Sequence, residues 1–226
     1  MKILALEFSS HERSIAVFAD GEVRGFAMDP TPRGTRPFAC IQEVLQQAGL
    51  SAGDIECIAV GRGPGSYAGT RVAIAIAHGW QLARGIKLLG ISSADAIARR
   101  INTGEGMKIL GRSVPFLGVA NLLFDAQRGE LYAVRYQIGA EEARVLGGFV
   151  LLTAAETQGR REAGEIFIKA DLSAWPGTEM ILPPRACDLA RLAAGRTDFL
   201  AGPQLEPVYL RPAEFVKAPI SQRPGL

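Results

Sequence analysis

The stretch GRGPGSYAG at 61–69 carries four glycines and one proline in nine residues. Such density suits a backbone that turns sharply or lies close against another group. Placed before a helix, the loop could also offer N–H groups to an anion. It is not a Walker loop, because no Gly-Lys-Ser/Thr follows, and the GxGxxG dinucleotide spacing is absent. At the end of the first apolar run, Glu7 precedes Phe8, Ser9, Ser10 and His11, where a phosphate-binding turn normally has a glycine. A carboxylate there either holds a cation through water or is a solvated or hydrogen-bonded group.

Other chemistry-bearing residues are sparse. His11 and His78 are the only histidines and have no acidic cluster beside them, so local spacing builds neither a metal motif nor a Ser-His-Asp arrangement. His78 is expected on a polar stripe with Arg71 and Gln81. Cys40, Cys57 and Cys187 lack CxxC spacing and read as reduced thiols of a cytosolic protein. The DAQRG run at 125–129 contains glycine at the second lobe's equivalent of the phosphate turn, and a polar hairpin turn is the plainer reading.

These residues need elements to position them. Runs at 2–8, 14–19 and 22–28 read as strands, with Asp20-Gly21 as a hairpin signal. Pro30, Pro32 and Gly34 break the pattern; Pro37 can open a helix that ends near Gly49. A strand at 55–61, a helix from about 70 to 84 closed by Gly85, a strand at 87–91 and a helix capped by Ser92 or Ser93 follow. Residues 102–113 read as a loop or lobe boundary. Strands at 116–122, 130–137, 144–152 and 166–169, with helices at 154–158 and 185–195, then repeat the element order as a degraded βββαβα copy. Two lobes, 1–105 and 106–226, are expected, with a cleft between them.

The second helix has two faces to bury. Leu82, Ala75, Gly79, Val72, Ala83, Ile76, Trp80, Ala73 and Ala77 span an arc of about 220°, where packing on one sheet needs about 100°. In the first helix Phe38, Ile41, Cys40, Val44, Leu45 and Ala48 span about 160°. A partner helix is one use of this surface, since Ala75, Gly79 and Ala83 permit close approach; cover by this chain's own third helix or second lobe is the other. With 226 residues, 48% hydrophobic content and a net charge of only +2, the chain can bury a real core and has no field to draw it onto nucleic acid or an anionic membrane. No segment reaches the length of a spanning helix or a signal-peptide core. A cytoplasmic location is expected.

ILALEFSS at 3–10, the Asp20-Gly21 hairpin, IAVGRGPGSYAGTR at 58–71, GISSADAIA at 90–98, DAQRGELY at 125–132 and EPVYLRP at 206–212 together give a resemblance over nearly the whole chain. The sequence resembles the TsaB/YeaZ family, the dimerisation subunit of the bacterial complex that installs a threonylcarbamoyl group on the adenosine beside the tRNA anticodon. The resemblance implies a two-lobed α/β fold of the actin and sugar-kinase type, with tandem ribonuclease-H-like βββαβα lobes and a degenerate second lobe. It implies no catalytic or metal-binding residue and no cofactor bound by this chain alone, and leaves open ADP or ATP at the interface of the complex. The partners it implies are a catalytic TsaD-type paralogue and a small TsaE-type ATPase, with tRNA reached through the complex; a homodimer is the further option. Carried onto this chain, the expected partner face comprises Phe38, Ile41, Leu45, Val72, Ala75, Ile76, Gly79, Trp80 and Ala83. The glycine loop comprises Gly61, Gly63, Pro64, Gly65, Ser66, Tyr67, Gly69 and Arg71.

The chain departs from the family where Glu7-Phe8-Ser9 replaces Asp-Thr-Ser, Tyr67-Ala68 replaces Phe-Thr, and Arg33-Gly34-Thr35-Arg36 replaces a His-Ser pair. A nucleotide-binding or metallopeptidase-like enzyme of the same superfamily, acting as a homodimer, is the competing expectation. The missing glycine turn and the separated histidines argue against it.

Overall fold

The structure, a computed structural model, describes residues 1–29, 36–126, 129–171 and 180–210. Pro30, Pro32 and the Arg33-Gly34-Thr35 departure, Gln127 and Arg128 of the DAQRGELY stretch, and Arg211 and Pro212 lie outside the described residues. Three antiparallel strands open the chain: β1 (Ile3–Glu7), β2 (Ser14–Ala19) and β3 (Glu22–Met28). Asp20 and Gly21 have φ of 54° and 86°, the positive values a two-residue primed turn needs. Helix α1 (Pro37–Ala48) starts on its proline and stops at left-handed Gly49. Then come β4 (Cys57–Gly61), α2 (Tyr67–Arg84), β5 (Lys87–Ile91) and α3 (Ser93–Arg100). The first sheet runs β3-β2-β1-β4-β5, with β1, β4 and β5 parallel.

A short helix, α4 (Gly104–Ile109), lies inside the expected loop at 102–113; Thr103 caps it by accepting the Gly106 N–H at 3.0 Å. The second sheet contains β6 (Gly118–Asp125), β7 (Glu130–Ile138), β8 (Ala143–Val145), β9 (Val150–Thr153) and, after α5 (Ala154–Glu162), β10 (Ile166–Lys169). The single strand expected at 144–152 is two strands that pair with opposite ends of β7. Gly147 and Gly148 separate them, Gly147 at φ 147°, a backbone state closed to most residues. The order β10-β6-β7-β8, with β9 also beside β7, repeats the first sheet's β4-β1-β2-β3. The repeated element order is therefore a repeated topology, shortened in the second lobe.

β1 and β4 are buried at every position because helices cover both faces of their sheet. On one face α1 and α2 pack over Leu4, Leu6, Val17, Ile58 and Val60. On the other, Ile3, Ala5, Ala16 and Ala59 meet α6 (Ala186–Ala193) through Leu189, Ala190 and Ala193. Thus α6, which the sequence reading grouped with residues 106–226, crosses back to the first sheet. Small residues on that face leave room for it, and Ser14 Oγ accepts its Ala186 N–H at 3.0 Å.

Ionic contacts secure this crossing. Arg100, fully buried, donates to Pro183 O and lies 3.4 Å from Glu105, which also pairs with Arg185. Arg185 in turn reaches Glu12 at 3.2 Å. Between the second sheet and α3, Tyr136 donates its hydroxyl to Asp95 at 2.6 Å.

Candidate partner-binding face and the glycine loop

The glycine loop joins β4 to α2, and its helix starts at Tyr67, three residues earlier than the spacing predicts, because Ser66 caps it by accepting the Gly69 N–H at 3.2 Å. The chain leaving β1 lies directly on this loop. A β-carbon at Gly61 would fall 2.0 Å from a Glu7 carboxylate oxygen, one at Gly65 2.1 Å from Ser9 O, and one at Gly69 2.0 Å from Phe8 O. Gly65 and Gly69 serve close approach of backbone to backbone, and Gly61 makes room for the Glu7 side chain. Ser66 N–H donates to Ser9 O at 2.6 Å, and Gly63 N–H donates to Ser93 Oγ at 3.2 Å.

Glu7 is wholly buried at the centre of this arrangement. One carboxylate oxygen accepts Ser9 N–H at 2.8 Å and the other accepts the Ser93 hydroxyl at 2.9 Å. Loss of hydration raises its carboxyl above the usual range, against the opposing effect of the Ser9 and Ser93 hydrogen bonds. The hydrogen-bonded reading of Glu7 is the one observed. The amides of Gly63, Ser66 and Gly69 have acceptors within the chain, and a buried acid and buried Phe8 stand at the turn.

A cleft of about 940 Å³ opens between the lobes, with Ser66 and Tyr67 on one wall and Asp125, Glu130, Tyr132 and Asp171 on the other. Among the described residues lining it there is no lysine or arginine. His11, from the first lobe, pairs with Asp171 of the second. Ala126 N–H donates to Glu130 O at 3.0 Å and Gly129 has φ 78°, so the described part of DAQRG is a hairpin turn. The 206–210 segment runs along the glycine loop: Val208 N–H donates to Arg62 O at 2.8 Å, and the Tyr209 ring lies 5.9 Å from Tyr67. Arg71 hydrogen-bonds to Tyr67 and stacks over its ring. Two separate sequence motifs are thus one packed unit.

The expected partner face divides. Phe38 is 68% exposed, and Ala75, Gly79 and Ala83 are exposed on α2; Val72 and Trp80 are half-buried. Ile41, Leu45 and Ile76 are instead buried in the first-lobe core with Val44 and Ile58. A wide apolar arc does not say which part meets the chain's own sheet, and these large aliphatic residues fill it. Leu82, counted on the arc but not on the expected face, is 91% exposed; its size beside a small-residue stripe was the available signal. On the polar stripe of α2, Arg71 is exposed while His78 and Gln81 are half-buried beside Gly202. Among the described residues no group of three or more His, Cys, Asp or Glu is placed to hold a metal, and no helix is long and apolar enough to cross a membrane.

A family model described as TsaD, tRNA N6-adenosine threonylcarbamoyltransferase, matches residues 37–187. The tRNA threonylcarbamoyladenosine biosynthesis protein TsaB of Escherichia coli K12 is 29% identical, over 93% of this chain and 95% of that protein. Among solved structures, YeaZ from Pseudomonas aeruginosa is 25% identical with a TM-score of 0.71, covering 92% of this chain and 99% of that one. A second Pseudomonas aeruginosa structure, of an uncharacterized protein with similarity to peptidase YEAZ, is 25% identical with a TM-score of 0.72 over 93% and 99%. With the repeated lobes, the loop and its 206–210 brace in place, the chain belongs to the tRNA N6-adenosine threonylcarbamoyltransferase (TsaD) family, as a member of its TsaB/YeaZ branch.

Proposed function

We propose that this chain serves tRNA threonylcarbamoyladenosine biosynthesis as a non-catalytic subunit that pairs with its TsaD-type catalytic paralogue. The outward side of α2, with Ala75, Gly79, Leu82 and Ala83, and Phe38 at the start of α1 make the contact. One contrast carries this reading. The loop amides of Gly63, Ser66 and Gly69 have acceptors within the chain, whereas the helix the loop launches exposes apolar and small side chains to solvent. Exposed apolar surface of this kind marks a protein contact, and small residues four apart let a second helix approach closely.

On this reading a small TsaE-type ATPase completes the assembly, ADP or ATP is held where partners meet, tRNA is reached through the complex, and the work is done in the cytoplasm. The stripe 75/79/83 is also self-complementary, which supports homodimer formation when the paralogue is absent. The test is reconstitution: paralogue, ATPase, ATP, an activated threonylcarbamoyl donor and unmodified tRNA, with and without this chain, scored by nucleoside mass spectrometry. Modification is expected only when the chain is present. Full modification without it would contradict the proposal.

A further inference from the structure

We infer that Glu7 is a positioning residue for α2: its side chain interlocks with the bare α-carbon of Gly61 and so sets the glycine loop that presents the partner face. The inference rests on the pairing reading above.

Two routes run from the carboxylate into the glycine loop, and the second reaches the cap of α2. One oxygen accepts the Ser93 hydroxyl at 2.9 Å; Ser93 Oγ accepts Gly63 N–H at 3.2 Å, and Ser93 N–H returns to Gly63 O at 2.8 Å. The other oxygen accepts Ser9 N–H at 2.8 Å, and Ser9 O takes the N–H of Ser66, the helix cap, at 2.6 Å. Space for the longer acid exists because residue 61 has no β-carbon: such a carbon would lie 2.0 Å from the oxygen and 2.6 Å from the carboxyl carbon of Glu7. An aspartate would draw the carboxylate back by one carbon–carbon bond, about 1.5 Å, and free the volume of a methyl group at position 61. Positions 7 and 61 are therefore coupled, Glu with Gly or Asp with Ala.

The test compares Gly61→Ala, Glu7→Asp and the double variant Glu7→Asp/Gly61→Ala. Each is titrated calorimetrically with the catalytic paralogue at a temperature where it is folded, and its thermal midpoint is measured. Gly61→Ala should weaken pairing about tenfold or more, because overpacking must displace the loop. The double variant should recover pairing relative to Gly61→Ala, the non-additivity expected of touching residues, and Glu7→Asp alone, which draws the carboxylate away from Ser93, should weaken pairing. A Gly61→Ala chain too unstable to purify, made foldable by Glu7→Asp, supports the same coupling. A double variant no better than Gly61→Ala in pairing and midpoint, or a Gly61→Ala chain that pairs like the parent, overturns it. If the parent forms no complex, the pairing reading fails, and the three midpoints still decide the coupling.

Discussion

Ile76 and Leu82 lie six positions apart on α2 and meet opposite environments, Ile76 8% exposed and Leu82 91%. Six residues turn a helix through about 240°, which carries one side chain into the first-lobe core and leaves the other in solvent. Ile76→Ala should cost about 2–4 kcal/mol of unfolding free energy in urea, and Leu82→Ala less than about 0.5 kcal/mol. Equal losses at the two positions would contradict this orientation.

The buried acid makes a prediction about pH. Burial raises the Glu7 carboxyl above its ordinary 4.5, so the folded chain holds this proton longer than the unfolded chain. Its contribution is most favourable below 4.5 and declines as pH rises toward the raised native value. Glu7→Gln removes that decline. The stability of the variant relative to the parent should therefore grow across this window in urea titrations, and a relative stability that falls would contradict it.

Glu105 stands between the guanidinium groups of Arg100 and Arg185. Glu105→Ala leaves like charges facing each other, one of them fully buried. Breaking a buried pair can cost about 3–5 kcal/mol, but Glu105 is half-exposed, so a loss of about 1–2 kcal/mol is expected after screening. The loss should shrink in 1 M salt as the Debye length falls to about 3 Å. A salt-independent loss would mean that packing, not charge, connects α3, α4 and α6 here.

Nucleotide affinity of the isolated chain should be negligible. The amides of Gly63, Ser66 and Gly69 are engaged, and Asp125, Glu130 and Asp171 line the cleft. Calorimetry with ADP or ATP and Mg²⁺ should show no saturation up to about 1 mM, an affinity of about 4 kcal/mol or weaker. Micromolar binding would reopen the enzyme reading.

Much of the scaffold was legible because particular residues punctuate it: Asp20-Gly21 at the hairpin, Pro37 and Gly49 around α1, Gly85 after α2. These act through local backbone preference, which sequence exposes. Three features depend on packing and were not legible. Glycines at 104 and 106 weaken the helical signal of α4, whose cap secures it. Helix α6 reads as apolar on one side, but nothing local says which sheet it covers. Ile41, Leu45 and Ile76 share arcs with Phe38, Val72 and Ala75, and only the fold separates inward from outward. At the glycine loop, composition pointed to close approach; that Glu7, Phe8 and Ser9 are what approaches follows from the parallel pairing of β1 with β4.

The most direct measurement is pairing of Leu82→Glu with the catalytic paralogue, by analytical sizing and calorimetry, beside a urea curve of the variant. A carboxylate placed on this exposed site should leave stability within about 0.5 kcal/mol of the parent and weaken the complex by about 2 kcal/mol or more, with tRNA threonylcarbamoylation falling in step. Unchanged affinity in a folded variant would contradict the assignment of α2 as the partner face.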